Sequence, residues 1–285
     1  LVMPTMNTID LALVMRRLVS AGFTHAEANT MYAQLTGIAA TLINLPQVIT
    51  SAIAISLVPV ISSAYAVNDI KRTRENTNLA IRVSLLIGLP CAVGLFVLAT
   101  PIIGLLYPNE PASVGGILAI MAIGVVFLSL IQSFTSVLQG MGKAHIPVFN
   151  LFVGAAVKFV LTYVLTALPS LNVKGAAIST VVAYVVAAVL DYFSVKKYLG
   201  LKFSVNDFLF RPLITAGIMG IIARVTYVLT VPFAGNSIST LLAVAVGGVV
   251  YVVTLFLTKT ITREDLQSLP KGKNIIGKLE KMKLM

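Results

Sequence analysis

The residues of this sequence that could do chemistry are isolated charged side chains inside long apolar stretches. Lys158 stands near the middle of one stretch, and Asp10 stands near the middle of another. A charge in the hydrocarbon of a membrane costs at least about 2.5–3.5 kcal/mol, so it normally faces a protein interior or a water-filled cavity. Lys158 is therefore interpreted as a cation that faces an anionic headgroup or, alternatively, as a salt-bridged or snorkelling lysine. Asp10 is either a proton-coupling group or, as we favour, the partner of a neighbouring helix.

Two arginines and an amide extend this set of candidates. Arg16 and Arg17 follow the first apolar stretch, where they either pair with Glu27 or form a basic mouth for a phosphorylated lipid headgroup. Several amides would offer neutral hydrogen bonds to a sugar, although polar side chains in membrane helices more often join helices to one another: Gln34, Asn44, Gln47, Gln132 and Gln139. The predicted substrate-binding set therefore comprises Lys158, Arg16, Arg17, Asp10 and Gln47.

Three prolines, Pro46, Pro59 and Pro90, lie inside apolar stretches. Each removes a backbone donor and kinks the helix that contains it. Ordinary helix shaping is the favoured interpretation, and a hinge that moves during function is the alternative.

Signatures of enzymes, cofactor sites and metal sites do not stand out in the sequence. The Gly-Lys pairs at 142–143, 272–273 and 277–278 lack the spacing of a phosphate-binding P-loop. His25 and His145 have no partners at metal-ligand spacing, and Cys91, the single cysteine, predicts neither a disulfide nor a thiolate site. We therefore expect no catalytic residue, no metal and no cofactor, and we do not expect an enzyme.

The elements that must position these side chains are membrane helices. The chain has 285 residues, of which 58% are hydrophobic and only 11% are charged, against about a quarter charged in soluble domains. Its mean hydropathy is +0.96, and its apolar residues form blocks that reach or approach the ~20 residues of a transmembrane helix. The sequence predicts an all-α, polytopic bundle of about eight spans, at residues 2–16, 31–66, 83–107, 114–139, 146–168, 175–195, 212–231 and 238–258. The second span is too long for one straight crossing, so Pro46 and Pro59 are expected to bend it.

The net charge of +11 does not indicate nucleic-acid binding, because the basic residues lie almost wholly between or after the apolar blocks. Fifteen of the 21 basic residues fall on one side if the connection around Lys71, Arg72 and Arg74 is cytoplasmic. This distribution predicts a cytoplasmic C-terminus and contact with membrane lipids. Asp191 and Arg82 are interpreted as interfacial. The basic tail at 259–285 is either a helix on an anionic membrane surface or a solvated segment.

Several segments resemble a known transporter group. They are MYAQLTGIAATLINLPQVITSAIAISLVPVISSAYAVND at 31–69, LLIGLPCAVGLFVLATPIIGLLYP at 85–108, LQGMGKAHIPVFNLFVGAAVKFVLTYVL at 138–165 and LNVKGAAISTVVAYVVAAVLDYF at 171–193. In this order they resemble the polysaccharide exporter and lipid flippase branch of the MATE-like (MOP) superfamily. The likeness is greatest to the stage V sporulation protein B group, which is similar to the lipid II flippase MurJ.

The resemblance implies a fold of two six-helix bundles and two appended helices, of which this chain would be the C-terminal half. Residues 1–195 would form the second transport bundle, 196–258 the two appended helices and 259–285 the basic tail. Since the chain starts at Leu1, we expect that an N-terminal half of the same protein is missing and acts as its partner.

The implied activity is flipping of a polyprenyl-pyrophosphate-linked oligosaccharide across the bacterial cytoplasmic membrane by alternating access. MurJ-type proteins carry an Asp-Arg pair a few residues before the proline that matches Pro46, whereas residues 39–42 here are uncharged. This departure favours a sporulation-type or general polysaccharide exporter. A cation-coupled multidrug exporter and a non-transporting scaffold for envelope assembly are the alternatives.

Overall fold

The computed structural model describes residues 2–201 and 210–258, with side chains from Asp10 onward, and the basic tail at 259–285 lies outside these ranges. Every regular element in the described ranges is a helix, so the prediction of an all-α fold is confirmed. The chain divides into two compact units, Leu1–Lys202 and Phe203–Met285, which are described separately. The helices are α1 (Val2–Ser20), α2 (His25–Ala33), a π-helix (Gln34–Ala39), α3 (Ala40–Ala66), α4 (Ile70–Val97), α5 (Ala99–Leu106), α6 (Ser113–Gly140), α7 (His145–Leu165), α8 (Val173–Leu199) and α9 (Arg211–Leu257).

Six helical stretches in the described part of the chain are long and apolar enough to cross a membrane, which confirms the polytopic bundle. The predicted first span differs, because α1 carries Asp10, Arg16 and Arg17 and is not among the six. The six stretches are His25–Ala66, Ile70–Val97, Ser113–Gly140, His145–Leu165, Val173–Leu199 and Arg211–Leu257.

The long helix that contains the second predicted span begins earlier than its apolar block. Thr24 caps it, since its hydroxyl accepts from the Glu27 N–H at 3.3 Å, while Glu27 Oε2 accepts from the Thr24 N–H at 2.8 Å. This reciprocal capping box satisfies two backbone donors and starts the helix at His25. The stretch His25–Ala66 has 42 residues, or about 63 Å at 1.5 Å per residue.

The predicted basic connection between the second and third spans is mostly helical. Asp69 caps α4 by accepting from the Arg72 N–H at 2.9 Å, so Lys71, Arg72 and Arg74 lie in the first turns of that helix. This connection is therefore largely part of α4, because the side chain of Asp69 starts the helix before the apolar block begins. At its other end α4 stops at Val97, and α5 follows after a break at Leu98.

Helix α6 lies at the centre of the first unit and packs on α3, α4, α5 and α8. Small residues permit this close approach, as in other membrane helix bundles. A Cβ at Gly140 would come within 2.8 Å of Ile61 on α3, and one at Gly88 on α4 would come within 2.5 Å of Ser129. Hydroxyls join the α4–α6 contact as well, since the Oγ atoms of Ser84 and Ser133 lie 2.5 Å apart.

Helices α7 and α8 run antiparallel and form a seam with three levels. At one level the hydroxyls of Thr162 and Ser179 lie 2.6 Å apart. At the next, a Cβ on Gly154 would come within 2.9 Å of the Ala183 carbonyl oxygen, so the two backbones are in close contact. At the last level a hydrogen bond joins Asn150 to Asp191.

The second unit contains α9, which is a hairpin rather than one straight helix. Gly235, with φ 71° and ψ 176°, breaks the helix at a conformation that only glycine adopts readily. The two arms pack together, since a Cβ on Gly247 would lie 3.2 Å from that of Ala223, and Tyr227 donates to Asn236 Oδ1 at 2.9 Å. The arms correspond to the two predicted spans at 212–231 and 238–258.

Candidate functional site on helices α1 and α7

The central feature of the candidate site is an ion pair between two helices of the first unit. Lys158 Nζ on α7 lies 2.9 Å from Asp10 Oδ2 on α1. The side chains keep 27% and 19% of their surface exposed, so the pair is mostly, but not fully, removed from solvent. Of the alternatives drawn from the sequence, the structure shows the salt-bridged lysine and the aspartate that partners a neighbouring helix.

Arg17 is held on the same pair of helices by two contacts to one residue. Its Nε donates to the Tyr163 carbonyl oxygen at 2.9 Å, and its Cζ lies 4.0 Å from the centroid of the Tyr163 ring. The hydrogen bond uses Nε, so the terminal amino groups of the guanidinium can still donate to a planar acceptor such as phosphate. Tyr163 therefore fixes the direction in which Arg17 presents its charge.

Arg16 lies beside Arg17 and is exposed. Its carbonyl accepts from the Ser20 hydroxyl at 2.8 Å. The Glu27 carboxylate, suggested as a partner for both arginines, instead accepts from the N–H and the hydroxyl of Thr24, each at 2.8 Å. Three cations against one carboxylate give this α1–α7 group a surplus of two positive charges.

Gln47 and the three prolines lie on other helices and do not join the α1–α7 group. Gln47 is half-buried on α3, and its carbonyl accepts from the Thr50 hydroxyl at 3.1 Å. Pro46 is buried and Pro59 exposed within α3, while Pro90 is half-buried within α4. Their roles as substrate ligand and hinges stay predictions.

Two polar contacts were missed by reasoning from the sequence. Asp191, interpreted as interfacial, is 0% exposed and accepts from Asn150 Nδ2 at 2.7 Å. It is buried because the face of α8 that carries it packs on other helices, and its position near the membrane boundary stays a prediction. The sequence did contain a signal for this burial, because Asp191 lies on the same helix face as the small residues Ala188 and Ala187, three and four positions earlier. Both alanines are buried.

The second missed contact joins the π-helix to the α5–α6 connection. Gln34 is 7% exposed, and its Nε2 donates to Glu110 Oε2 at 2.7 Å. A π-helical turn inside a longer helix frequently marks a functional position. From the sequence, Gln34 was one of several amides that could bind sugars or join helices, and the structure shows the second use.

No cluster of three or more His, Cys, Asp or Glu side chains that could hold a metal occurs within the described residues. The chemistry available at the α1–α7 group is therefore ionic and hydrogen-bonding: a paired lysine, an oriented arginine and an exposed arginine. Such groups suit the recognition of an anionic, phosphate-bearing ligand.

Comparison with known proteins gives consistent matches. A family model described as lipid II flippase MurJ matches residues 32–247. Stage V sporulation protein B of Bacillus subtilis (strain 168) is 28% identical over 266 residues, which cover 93% of this chain and 50% of that protein. Lipid II flippase MurJ of the same bacterium is 25% identical over 262 residues, which cover 88% of this chain and 48% of that protein.

A solved structure of lipid II flippase MurJ in an inward closed conformation shares the fold. It aligns with a TM-score of 0.60 and 20% sequence identity over 77% of this chain and 47% of that one. The chain thus spans about half the length of the curated relatives that it matches.

Proposed function

The chain belongs to the lipid II flippase MurJ family, and from this premise we propose that it forms the second half of a flippase for polyprenyl-pyrophosphate-linked oligosaccharides. The observation that carries the proposal is the family match over residues 32–247. In this proposal the protein is a transporter and not an enzyme. The chain itself is multi-pass, with six membrane-length helical stretches in its described part.

The charge of the α1–α7 group supports a pyrophosphate-linked substrate. Arg16 and Arg17 would donate to phosphate oxygens, since a guanidinium offers several N–H groups in a planar fork. Lys158 would add N–H donors beside them, because its ammonium group has three N–H bonds and the pair with Asp10 retains exposed surface. Gln47 would offer neutral hydrogen bonds to the sugar.

The length of the chain supports a two-part transporter. Because it spans about half of its relatives, a preceding set of helices in the same protein would complete the cavity. Transport would then proceed by alternating access, in which one bundle rocks against the other. The proposed hinge positions are Pro46, Pro59 and Pro90. We propose that residues 1–195 form the transport bundle and that residues 196–258 form the two appended helices.

The proposed location is the bacterial cytoplasmic membrane, with the C-terminus in the cytoplasm. The bias of basic residues toward one side supports this orientation. The proposed cargo is a cell-wall, spore-cortex or polysaccharide precursor. The uncharged residues at 39–42 and the match to stage V sporulation protein B favour a sporulation-type or polysaccharide substrate over lipid II.

Complementation tests this proposal directly. The full-length protein that contains this chain is expressed in bacteria depleted of their own flippase, and the appearance of labelled lipid-linked sugar on the outer surface is measured. We expect growth to be rescued and the headgroup to become accessible outside. Efflux of cationic dyes without rescue would indicate the multidrug exporter, and neither activity would indicate the scaffold.

Lys158→Gln tests the site within the same assay. It should reduce flipping while membrane insertion stays normal. Lys197→Gln is the matched control, because this exposed lysine near the end of α8 lies outside the α1–α7 group. Normal flipping by the Lys158→Gln variant would remove Lys158 from the site.

A further inference from the structure

The α7–α8 seam contains a carboxyl group that the proposed substrate site does not use. Asp191 lies eight residues before the end of α8 at Leu199, or about 12 Å along the helix, and is 0% exposed. Asn150 Nδ2 donates to its Oδ1 at 2.7 Å. The close backbone contact at Gly154 and Ala183 holds the two helices together next to this hydrogen bond.

The other oxygen of this carboxyl group has no partner. Asp191 Oδ2 is fully buried and accepts no hydrogen bond. Ser194 on the same helix donates to the Leu190 carbonyl at 2.8 Å and accepts from Asn150 Nδ2 at 3.4 Å, so its hydroxyl does not donate to Asp191. One turn earlier, Ala187 and Ala188 belong to an apolar cluster with Ile131. An ionised carboxylate buried without a cation in such surroundings costs several kcal/mol, whereas a neutral carboxylic acid costs about 1–3 kcal/mol.

The charges of the neighbouring helices do not supply an ion pair to Asp191 among the described residues. Helix α6, between α4 and α8, carries no titratable side chain. On α7, Lys158 is paired with Asp10 of α1. The remaining charged or titratable groups on the helices packed around α8 are Arg16 and Arg17 of α1, Lys71, Arg72, Arg74, Glu75, Arg82 and Cys91 of α4, His145 and Tyr163 of α7, and Lys174, Tyr184, Tyr192, Lys196, Lys197 and Tyr198 of α8 itself.

Arg82 is the charge of α4 at the level of Asp191. Ser133 on α6 contacts the hydroxyl of Ser84 and the carbonyl of Ala80, and the next residue, Phe134, packs its ring 6.2 Å from that of Tyr192. Arg82 and Asp191 therefore lie at the same level of the bundle.

We propose that Asp191 is a proton-binding site, which carries a proton on Oδ2 in this conformation. The O–H bond forms when Oδ2 takes a proton from a hydronium ion, which leaves water, and breaks when the acid returns the proton to a water molecule. A metal cation suits the site poorly, because Asn150 presents its NH2 group, a donor that repels cations, and Oδ2 is the one acceptor left free on the carboxyl group.

The proton site is linked to conformation by its burial. Ionisation requires that water reach Asp191, which means that α7 and α8 must separate at this end of the seam. Protonation therefore favours the closed seam and deprotonation favours the open one, and the two equilibria are coupled by the same free energy. If the protein is the flippase proposed above, on which this step rests, proton binding at Asp191 would drive or gate its cycle.

Infrared difference spectroscopy on the purified full-length protein tests the site without any transport assay. At neutral pH the wild-type protein should show the carbonyl stretch of a protonated carboxylic acid, and Asp191→Asn should lack that band. Asn150→Ala should keep the band at a shifted frequency, because the hydrogen bond to Oδ1 is gone. Identical spectra for wild type and Asp191→Asn would overturn the proposal, as would an unshifted band in Asn150→Ala.

Proteoliposomes that contain the labelled lipid-linked sugar test the coupling. The wild-type rate of headgroup translocation should change with internal and external pH, and Asp191→Asn should lose that dependence. Thr180→Ala on α8 is the control, because the Thr180 hydroxyl donates to the Ala176 carbonyl of its own helix at 2.9 Å, and this variant should keep the wild-type response. A pH response unchanged in Asp191→Asn would overturn the coupling. A carboxylic acid band without lipid flipping would leave the proton site standing and refute the proposed function instead.

Discussion

Lys158 and Asp10, which are 148 positions apart in the sequence, form an ion pair at 2.9 Å between α7 and α1. The pair joins the first helix of the chain to the helix that packs most extensively on α8. The same two helices carry Arg17 and Tyr163, so one packing contact assembles most of the candidate site. The contribution of this ion pair to the free energy of unfolding can therefore be measured without a transport assay.

A double-mutant cycle measures the strength of the Lys158–Asp10 pair. Lys158→Gln and Asp10→Asn each leave a partly buried charge without its partner, and each should lower the free energy of unfolding by about 1–3 kcal/mol, less than in a fully buried pair. The double variant should recover about 1–2 kcal/mol relative to the sum of the single variants. Unfolding in detergent followed by circular dichroism gives these values. Strictly additive effects would mean that the two charges do not interact.

The backbone contact between α7 and α8 predicts that Gly154 tolerates no side chain. In Gly154→Ala the new Cβ would lie 2.9 Å from the Ala183 carbonyl oxygen, so the helices must separate at a cost of about 1–3 kcal/mol. Gly248→Ala on α9 is the control, because no neighbouring atom lies within 4 Å of the added Cβ. Alanine favours helix formation over glycine by up to about 1 kcal/mol, so Gly248→Ala should have the same stability as the wild type or a slightly higher one. Equal melting temperatures for the two variants would contradict the close contact.

Tyr163 is predicted to act through the orientation of Arg17. Tyr163→Phe keeps both the aromatic ring and the backbone carbonyl that contact Arg17, so flipping should be unchanged. Tyr163→Leu removes the ring, and a cation–π contact of about 0.5–1 kcal/mol corresponds to a two- to fivefold lower rate of headgroup translocation. Arg17→Lys should also lower the rate, because an ammonium lacks the planar fork. Equal rates of headgroup translocation for Tyr163→Leu and Tyr163→Phe would contradict this role of Tyr163.

The Gln34–Glu110 hydrogen bond predicts that Glu110, which lies in the connection between α5 and α6, stabilises the fold. Glu110→Ala would leave the buried Gln34 amide without its acceptor, at a cost of about 1–3 kcal/mol in unfolding free energy. Glu110→Gln retains an oxygen that can accept, so its cost should be smaller. The neighbouring exposed residue supplies the control, Asn109→Ala, which should have the stability of the wild type. If Glu110→Ala has the same unfolding free energy as the wild type, this contact does not stabilise the fold.

The sequence predicted the membrane helices well where apolar length alone decides, as for α6, α7 and α8. It placed helix starts less well, because Thr24 and Asp69 begin helices with side-chain caps before the apolar blocks begin. The capping pattern of Thr24 and Glu27 is readable from sequence spacing. The start of α4 is harder to predict, because polar residues near Asp69 form helix as readily as loop.

The candidate site was predictable in its members but not in its contacts. Lys158, Asp10 and Arg17 stand out because charges in apolar stretches are costly. Their pairing depends on the packing of α1 against α7, which no local pattern encodes. Asp191 shows a different limit, because its position near the lysines at the end of α8 suggested the membrane boundary but did not reveal that the helix face that it shares with Ala187 and Ala188 is buried.

The arrangement of cations at one end of the first unit predicts the orientation of the chain in the membrane. At the end of α8, the guanidinium of Arg74 donates to the Leu199 carbonyl, and Lys143 Nζ lies 4.2 Å from the centroid of the Tyr198 ring. Lys196 and Lys197 are exposed at the same end. Cations near the ends of spans are retained in the cytoplasm. This end should therefore face the cytoplasm, and the α5–α6 connection should face outside.

Cysteine labelling in intact cells checks this orientation. In a background without native cysteines, which requires Cys91→Ser in this chain, single cysteines are placed by Lys197→Cys or Asn109→Cys, both at exposed positions. A membrane-impermeant maleimide should label the cysteine at 109 in intact cells and the cysteine at 197 only after the cells are opened. If the cysteine at 197 reacts from outside, the basic end of α8 faces the exterior. Such labelling would contradict the proposed cytoplasmic location of the C-terminus.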